Sequence, residues 1–294
     1  MKLVVALGGN AIGGGSYNSQ LEKVNQTCRH LVKLIKQGHK IIITHGNGPQ
    51  VGNILLQQKE KQTSEMPLDV CGAMSQAQIG YMFQQALANA LKTLKIKKEV
   101  VTVITQVLVD KNDMAFKNPT KPIGPFYKSM KKGCVFVEGK GYRKAVASPI
   151  PRQIIELKNI EDLIKHDNIV ISCGGGGVPI TQTKKGYKGV EAVIDKDRCA
   201  ALLARQLKAD MLLILTDVKG AYLNFESTNK QLLRKLSVAD ARKLLKKGEW
   251  PAGSMAPKVE ACADFAAKTK KKAVIADLKD IEDAVLGKAG TVIK

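Results

Sequence analysis

Aromatic residues are scarce: Phe, Tyr and Trp make up only 4% of this 294-residue chain. Proteins that bind single-stranded nucleic acid stack bases on aromatic rings. The scarcity therefore argues against nucleic acid as a partner, although a net charge of +21 would attract any polyanion. Acidic residues are few as well, with 26 Asp and Glu against 47 Lys and Arg. The lysines fall in short separated groups, such as Lys95, Lys97 and Lys98, which read as a solvated basic surface on an enzyme for anionic substrates. Paired cysteines are missing too. Cys28, Cys71, Cys134, Cys173, Cys199 and Cys262 are scattered, with no C-x-x-C and no His at ligand spacing. That argues against a zinc site or a disulfide framework and points to reduced thiols in a cytoplasmic protein. No apolar run approaches the ~20 residues that span a bilayer. The opening MKLVVALGGN is interrupted by glycine too early for a secretory segment, so neither a membrane partner nor export is expected.

Short β-branched runs alternate with longer amphipathic stretches. Leu3–Leu7, Lys40–Thr44, Val100–Val109, Asn168–Cys173, Met211–Thr216, Ala273–Ala276 and Thr291–Ile293 read as strands, with Val100–Val109 buried on both faces and Met211–Thr216 another buried strand. Gln20–Gln37, Ser75–Leu94, Arg198–Leu207, Val238–Lys247 and Lys258–Thr269 read as helices, the first stopped by Gly38 at a left-handed cap. The alternation predicts an α/β fold, a three-layer α/β/α sandwich on a mostly parallel central sheet. From Asp110 to about Ser148 the pattern breaks, because Pro119, Pro122, Pro125, Pro149 and Pro151 and several glycines exclude long helices and central strands. A stretch of that length is too long for a plain loop, so a small inserted subdomain or a lid is expected.

Three glycine-rich segments each follow a predicted strand: Gly8-Gly9-Asn10, Gly46-Asn47-Gly48-Pro49 and Gly174–Gly177. In a parallel sheet all three open at the carboxyl edge, where ligands bind. Glycine lets backbone N–H groups approach an anion, and a following helix N-terminus adds favourable partial charge. None fits the G-x-x-x-x-G-K-[ST] or G-x-G-x-x-G fingerprint. A phosphate site assembled from several strand ends, with lysines supplying charge, is what remains.

The runs VVALGGNA (Val4–Ala11), THGNGPQVGN (Thr44–Asn53), KNPTKPIGPF (Lys117–Phe126), SCGGGG (Ser172–Gly177), GVEAVIDKD (Gly189–Asp197) and GSMAPKVEA (Gly253–Ala261) together resemble the carbamate kinases, a branch of the amino-acid kinase family. The resemblance implies one two-lobed domain over residues 1–294. Residues 1–150, including a protruding subdomain at 110–148, would hold carbamate or carbamoyl phosphate; residues 151–294 would hold ATP or ADP. Relatives such as acetylglutamate kinase carry a catalytic lysine two residues before the Gly-Gly pair, where this chain has Ala6. The resemblance brings Lys121 from the subdomain instead, with Lys196 and Lys258 as the other two catalytic lysines and Asp197 orienting them. It assigns Gly8, Gly9, Asn10, Gly46, Asn47, Gly48, Gly174 and Gly175 to substrate and phosphate binding. Asp217, Val218, Tyr222 and Met255, with Lys258, are assigned to the nucleotide. Mg²⁺ is expected with the nucleotide, held through waters and few protein ligands. His45 reads as packing, since carbamate is already an anion and needs no base. A homodimer and a role in arginine breakdown or carbamoyl phosphate metabolism are implied in the same way. Another small-acid kinase of the superfamily, or a silent sensor of carbamoyl phosphate or nucleotide, is the alternative reading. The chain departs from the family pattern at Gly13–Gly15 and at Tyr142, where many members have Trp.

Overall fold

The structure is a computed structural model describing residues 1–60, 63–137, 139, 141–251 and 253–294. Its centre is strand Lys2–Leu7, in which Leu3, Val4, Val5, Ala6 and Leu7 are all buried. A strand alternates its side chains between faces, and here the two sets enter different cores. Val4 and Ala6 pack on one side with Ile42 and with Leu203 of helix Lys196–Gln206 and Val259 of helix Met255–Thr269. Leu3, Val5 and Leu7 pack on the other with Leu31 of helix Tyr17–Lys36 and Phe83 of helix Leu68–Thr93. A near-continuous apolar strand buried on both faces needs helices on both, so the three-layer sandwich follows.

The main sheet has eight strands, in the order Lys235–Leu236, Thr291–Ile293, Ala273–Asp277, Met211–Thr216, Lys2–Leu7, Lys40–His45, Ile169–Ile171, Val100–Thr102. Every neighbouring pair is parallel except Ala273–Asp277 with Thr291–Ile293. The carboxyl ends of the central strands therefore share one edge.

Several elements differ from expectation, among them helices Tyr17–Lys36 and Met255–Thr269, which begin before Gln20 and Lys258. The run Val100–Val109 is not one strand. It divides into Val100–Thr102, in the main sheet, and Gln106–Val109, in a second sheet with Pro151–Ile154, Val178–Thr183 and Gly186–Gly189. Thr105 forces the break: its N–H donates to Gln76 Oε1, and its hydroxyl accepts from Cys173 N–H, so side chains replace ladder partners. Helix Leu68–Thr93 starts well before Ser75, after Pro67. Helix Lys196–Gln206 starts before Arg198, capped by Asp195.

The irregular stretch contains a three-stranded antiparallel sheet, Lys121–Tyr127, Gly141–Val146 and Cys134–Val137, with Gly141–Val146 in the middle. Lys121–Tyr127, which holds Pro122 and Pro125, is an edge strand, the place in a sheet where proline is tolerated. Ile123 and Val146 join this subdomain to the body through a small core with Val51, Ile54, Leu68 and Cys71. Gly52 permits the contact, since a Cβ there would sit 3.4 Å from Gly124 Cα.

At the opposite, amino edge of the sheet, several lysines bond to carbonyls that follow or end helices. Lys2 Nζ donates to Leu207 O at 2.7 Å and Lys40 Nζ to Ile164 O at 3.3 Å, while Lys271 Nζ reaches Ala209 O at 2.8 Å. Helix C-termini carry partial negative charge and unpaired carbonyls. Part of the basic excess thus serves the fold.

Candidate active site

The first loop follows strand Lys2–Leu7. Gly8 N–H donates to Leu215 O at 3.1 Å, and a Cβ at Gly8 would lie 3.2 Å from that oxygen, so the loop hugs the next strand only with glycine there. The second loop is tied to the first by Gly46 N–H donating to Leu7 O at 3.2 Å. A Cβ at Gly46 would meet Lys196 Cδ at 3.4 Å and Gly9 N at 3.8 Å, so Gly9, Gly46 and the stem of Lys196 converge. Helix Gly48–Gln57 begins here with Pro49 in its first turn, leaving free N–H groups at the carboxyl edge.

The third glycine segment lies beneath the second. Gly174, Gly175 and Gly176 are buried, and Gly175 and Gly176 have φ of +66° and +96°. A Cβ at Gly174 would strike the His45 imidazole and one at Gly175 the Asn47 amide. Asn47 Nδ2 donates to Ser75 Oγ at 2.8 Å. His45 is buried against Phe83 and donates through Nδ1 to Gly46 O at 2.9 Å. Burial lowers its pKa to about 4, with Lys196 adding to the effect against the Gly46 bond, so the ring is neutral. His45 thus ties the Gly46 carbonyl to the core.

Charge gathers at the start of helix Lys196–Gln206. Asp197, with 3% of its side chain exposed, accepts from Lys196 Nζ at 2.5 Å on one oxygen and from Lys258 Nζ at 3.2 Å on the other. Lys258 comes from helix Met255–Thr269 and also donates to Ser254 O. Lys121 Nζ, from the subdomain, donates to Asp195 Oδ2 at 2.7 Å. Three lysines against two carboxylates leave one net positive charge, and the lysine heads reach solvent only partly. Burial lowers the Lys196 pKa even though Asp197 pulls it up. Burial would raise that of Asp195, yet Lys121 and the Arg198 N–H bring it down to about 2.

The structure thus brings together Lys121, Lys196, Asp197 and Lys258, and sets Gly46 between the Lys196 stem and Gly9. Asp217 stands at the end of strand Met211–Thr216, in a cavity of about 220 Å³ shared with Gly8, Asn10, Lys23, Asp277 and Lys279. Val218 is in the bend that follows. Tyr222, half-buried, lies edge-on to Phe225, and its carbonyl accepts from Trp250 Nε1 at 2.7 Å. Met255 opens the helix that carries Lys258. Asp195, Lys23, Lys279 and Trp250 were not anticipated. Asp195 had a visible signal, an Asp at the N-cap of a helix, hidden because the helix was read as starting at Arg198. Among the described residues no three His, Cys, Asp or Glu side chains converge to hold a metal. The donor set fits a cation carried on phosphate oxygens, with Asp217 and Asp277 as the carboxylates beside the Gly8 loop. No helix among the described residues is long and apolar enough to cross a membrane.

A parallel sheet that gathers glycine loops and lysines at its carboxyl edge, with a lysine delivered from an inserted subdomain, defines a phosphotransferase framework. The chain belongs to the amino acid kinase family, matched over residues 1–277. Among its relatives, the carbamate kinase of Staphylococcus haemolyticus is 48% identical over 307 residues, covering 100% of this chain and 99% of the relative. That of Pyrococcus horikoshii is 45% identical over 309 residues, covering 99% and 98%. The Giardia lamblia carbamate kinase bound to AMP-PNP superposes with a TM-score of 0.92 at 41% identity, covering 99% of this chain and 98% of that one.

Proposed function

We propose that this protein is a carbamate kinase, moving a phosphoryl group reversibly between ATP and carbamate. The observation that carries the reading is the Asp197 clamp on Lys196 and Lys258, with Lys121 held on the neighbouring Asp195. Phosphoryl transfer asks little covalent chemistry of a protein; it asks for alignment and for positive charge at the transferring oxygens. Lysine ammonium groups are suitable point charges. A carbamate oxygen attacks the γ-phosphorus in line as the bond to ADP breaks. Gly8, Gly9, Asn10, Gly46, Asn47 and Gly48 shape the seat of the acceptor and the moving phosphoryl, and Gly174 and Gly175 form the floor beneath His45 and Asn47. Lys121 and Lys196 stabilise the transition state, and Lys258 stays with the nucleotide phosphates. Neutral His45 takes no proton, and none needs taking.

In this reading residues 1–150, with the 110–148 subdomain, hold the acceptor, and residues 151–294 hold the nucleotide around Asp217, Val218, Tyr222 and Met255. The AMP-PNP complex of the Giardia relative supports the nucleotide. Asp217 and Asp277, beside the Gly8 loop, are the residues that would hold Mg²⁺ carried with the nucleotide, and the ion would supply neutralising charge to the phosphates. The protein works in the cytoplasm, in carbamoyl phosphate metabolism such as arginine breakdown. It is a homodimer: Val70, Met74 and Tyr81 are exposed on helix Leu68–Thr93, and the neighbouring strand Val100–Thr102 is an open sheet edge.

A coupled assay with ADP, Mg²⁺ and carbamoyl phosphate tests the activity, and ATP formation well above background is expected. No ATP with carbamoyl phosphate, but turnover with acetyl phosphate or another acyl phosphate, would move the protein to a different small-acid kinase. Binding without transfer would make it a sensor.

A further inference from the structure

Asp195 holds two parts of the molecule at once. Its Oδ1 accepts from the N–H groups of Asp197 at 3.0 Å and Arg198 at 3.2 Å, capping helix Lys196–Gln206. Its Oδ2 accepts from Lys121, the first residue of the subdomain's edge strand, at 2.7 Å. The subdomain's exit is tied to the same segment, since Val193 N–H donates to Ala147 O at 2.9 Å. The Asp195 side chain is only 10% exposed and so shielded from competing water. Its pKa, brought down to about 2 against the effect of burial, keeps it charged at any working pH.

We propose that Asp195 is a positioning residue that delivers Lys121 to the transferring phosphoryl group, by joining the protruding subdomain to the amino end of the helix that carries Lys196 and Asp197. The proposal rests on the assignment of Lys121 to the transition state made above. A lysine on a four-carbon stem samples many rotamers, and ordering it at each turnover raises the barrier. With one N–H committed to Asp195, two remain for anionic oxygens. Because the other oxygen of the same carboxylate caps the helix, Lys121 and the Lys196–Asp197 pair keep a constant spacing.

A double-variant cycle on the full-length protein tests this. Asp195→Asn keeps the cap, since Asn caps as well as Asp, and removes the charge that holds Lys121. A misplaced group costs on the order of 10²-fold, so kcat should fall about ten- to a hundredfold with nucleotide KM within about twofold. Lys121→Met should fall further, and the double variant should be no slower than Lys121→Met alone, the signature of one residue acting through another. If Asp195→Asn does not fold, Asp195→Ser, which also caps, takes its place in the cycle. Multiplied losses in the double variant, or a normal rate in Asp195→Asn, would overturn the proposal while leaving the role of Lys121 intact. Failure of both Asp195 variants to fold would overturn it too, by making the carboxylate a requirement of the fold. A normal rate in Lys121→Met would remove the assignment on which the proposal stands, and the proposal with it.

Discussion

Lys196→Met removes the ammonium at the centre of the cluster while keeping most of the aliphatic stem that packs against Gly46. The wild-type ammonium lies on Asp197, which also holds Lys258. Two unit charges ~4 Å apart interact by roughly 4 kcal/mol at the effective dielectric of a protein site. Removing one preorganised donor from a developing oxyanion costs about 2.7–4 kcal/mol, which is on the order of 10²–10³ in rate. Charge that matters only as the phosphoryl group transfers should lower kcat and kcat/KM together, with KM for ADP little changed. The coupled ATP-forming assay with saturating carbamoyl phosphate reads this directly, and thermal unfolding with and without nucleotide checks that the variant is folded. A folded variant with kcat within about threefold of wild type would refute the assignment of Lys196, since no interaction of the size above could then have been lost.

Lys196 is active as the ammonium, and burial lowers its pKa, so kcat should fall as pH rises through that lowered value. Lys196→Arg stays charged throughout and should carry the alkaline limb to higher pH; an unmoved limb would assign it to another group. Gly175→Ala places a Cβ against the Asn47 amide at a φ of +66°. Left-handed strain of about 1–3 kcal/mol should lower Tm by roughly 2–5 °C in a thermal melt, and an unchanged melt would mean the loop relaxes freely. Tyr81 is 57% exposed on the helix proposed for the dimer face. Tyr81→Asp should shift the protein from dimer to monomer in analytical ultracentrifugation, and an intact dimer would place the interface elsewhere.

Much of the layered architecture could be read before any coordinates. Val4 to Leu7, Ile41 to Ile43 and Met211 to Leu215 are continuous apolar runs, and such runs are buried on both faces only when helices cover both. Pro122 and Pro125 likewise put their own strand, Lys121–Tyr127, at an edge. The expectation that the 110–148 stretch holds no central strand fails at Gly141–Val146, which carries no proline and pairs on both sides. The division of Val100–Val109 was not legible, because the apolar pattern runs on through the break. Thr105 leaves the ladder only because Gln76 and Cys173, both distant in sequence, offer better partners.

The Gly8-Gly9-Asn10, Gly46-Asn47-Gly48 and Gly174–Gly177 segments show a similar division. Glycine after a strand announces a turn or a close approach wherever it occurs, so the sequence by itself located three loops at one sheet edge. Backbone chemistry is local, and local signals suffice for that. Only the tertiary structure decided what each glycine approaches: Lys196 at Gly46, the Leu215 carbonyl at Gly8, His45 and Asn47 at Gly174 and Gly175. It also decided that Asp195 faces Lys121 while capping its own helix. Residues far apart in the chain can share one carboxylate only after the subdomain and the sheet have packed, and no pattern within either segment records that contact.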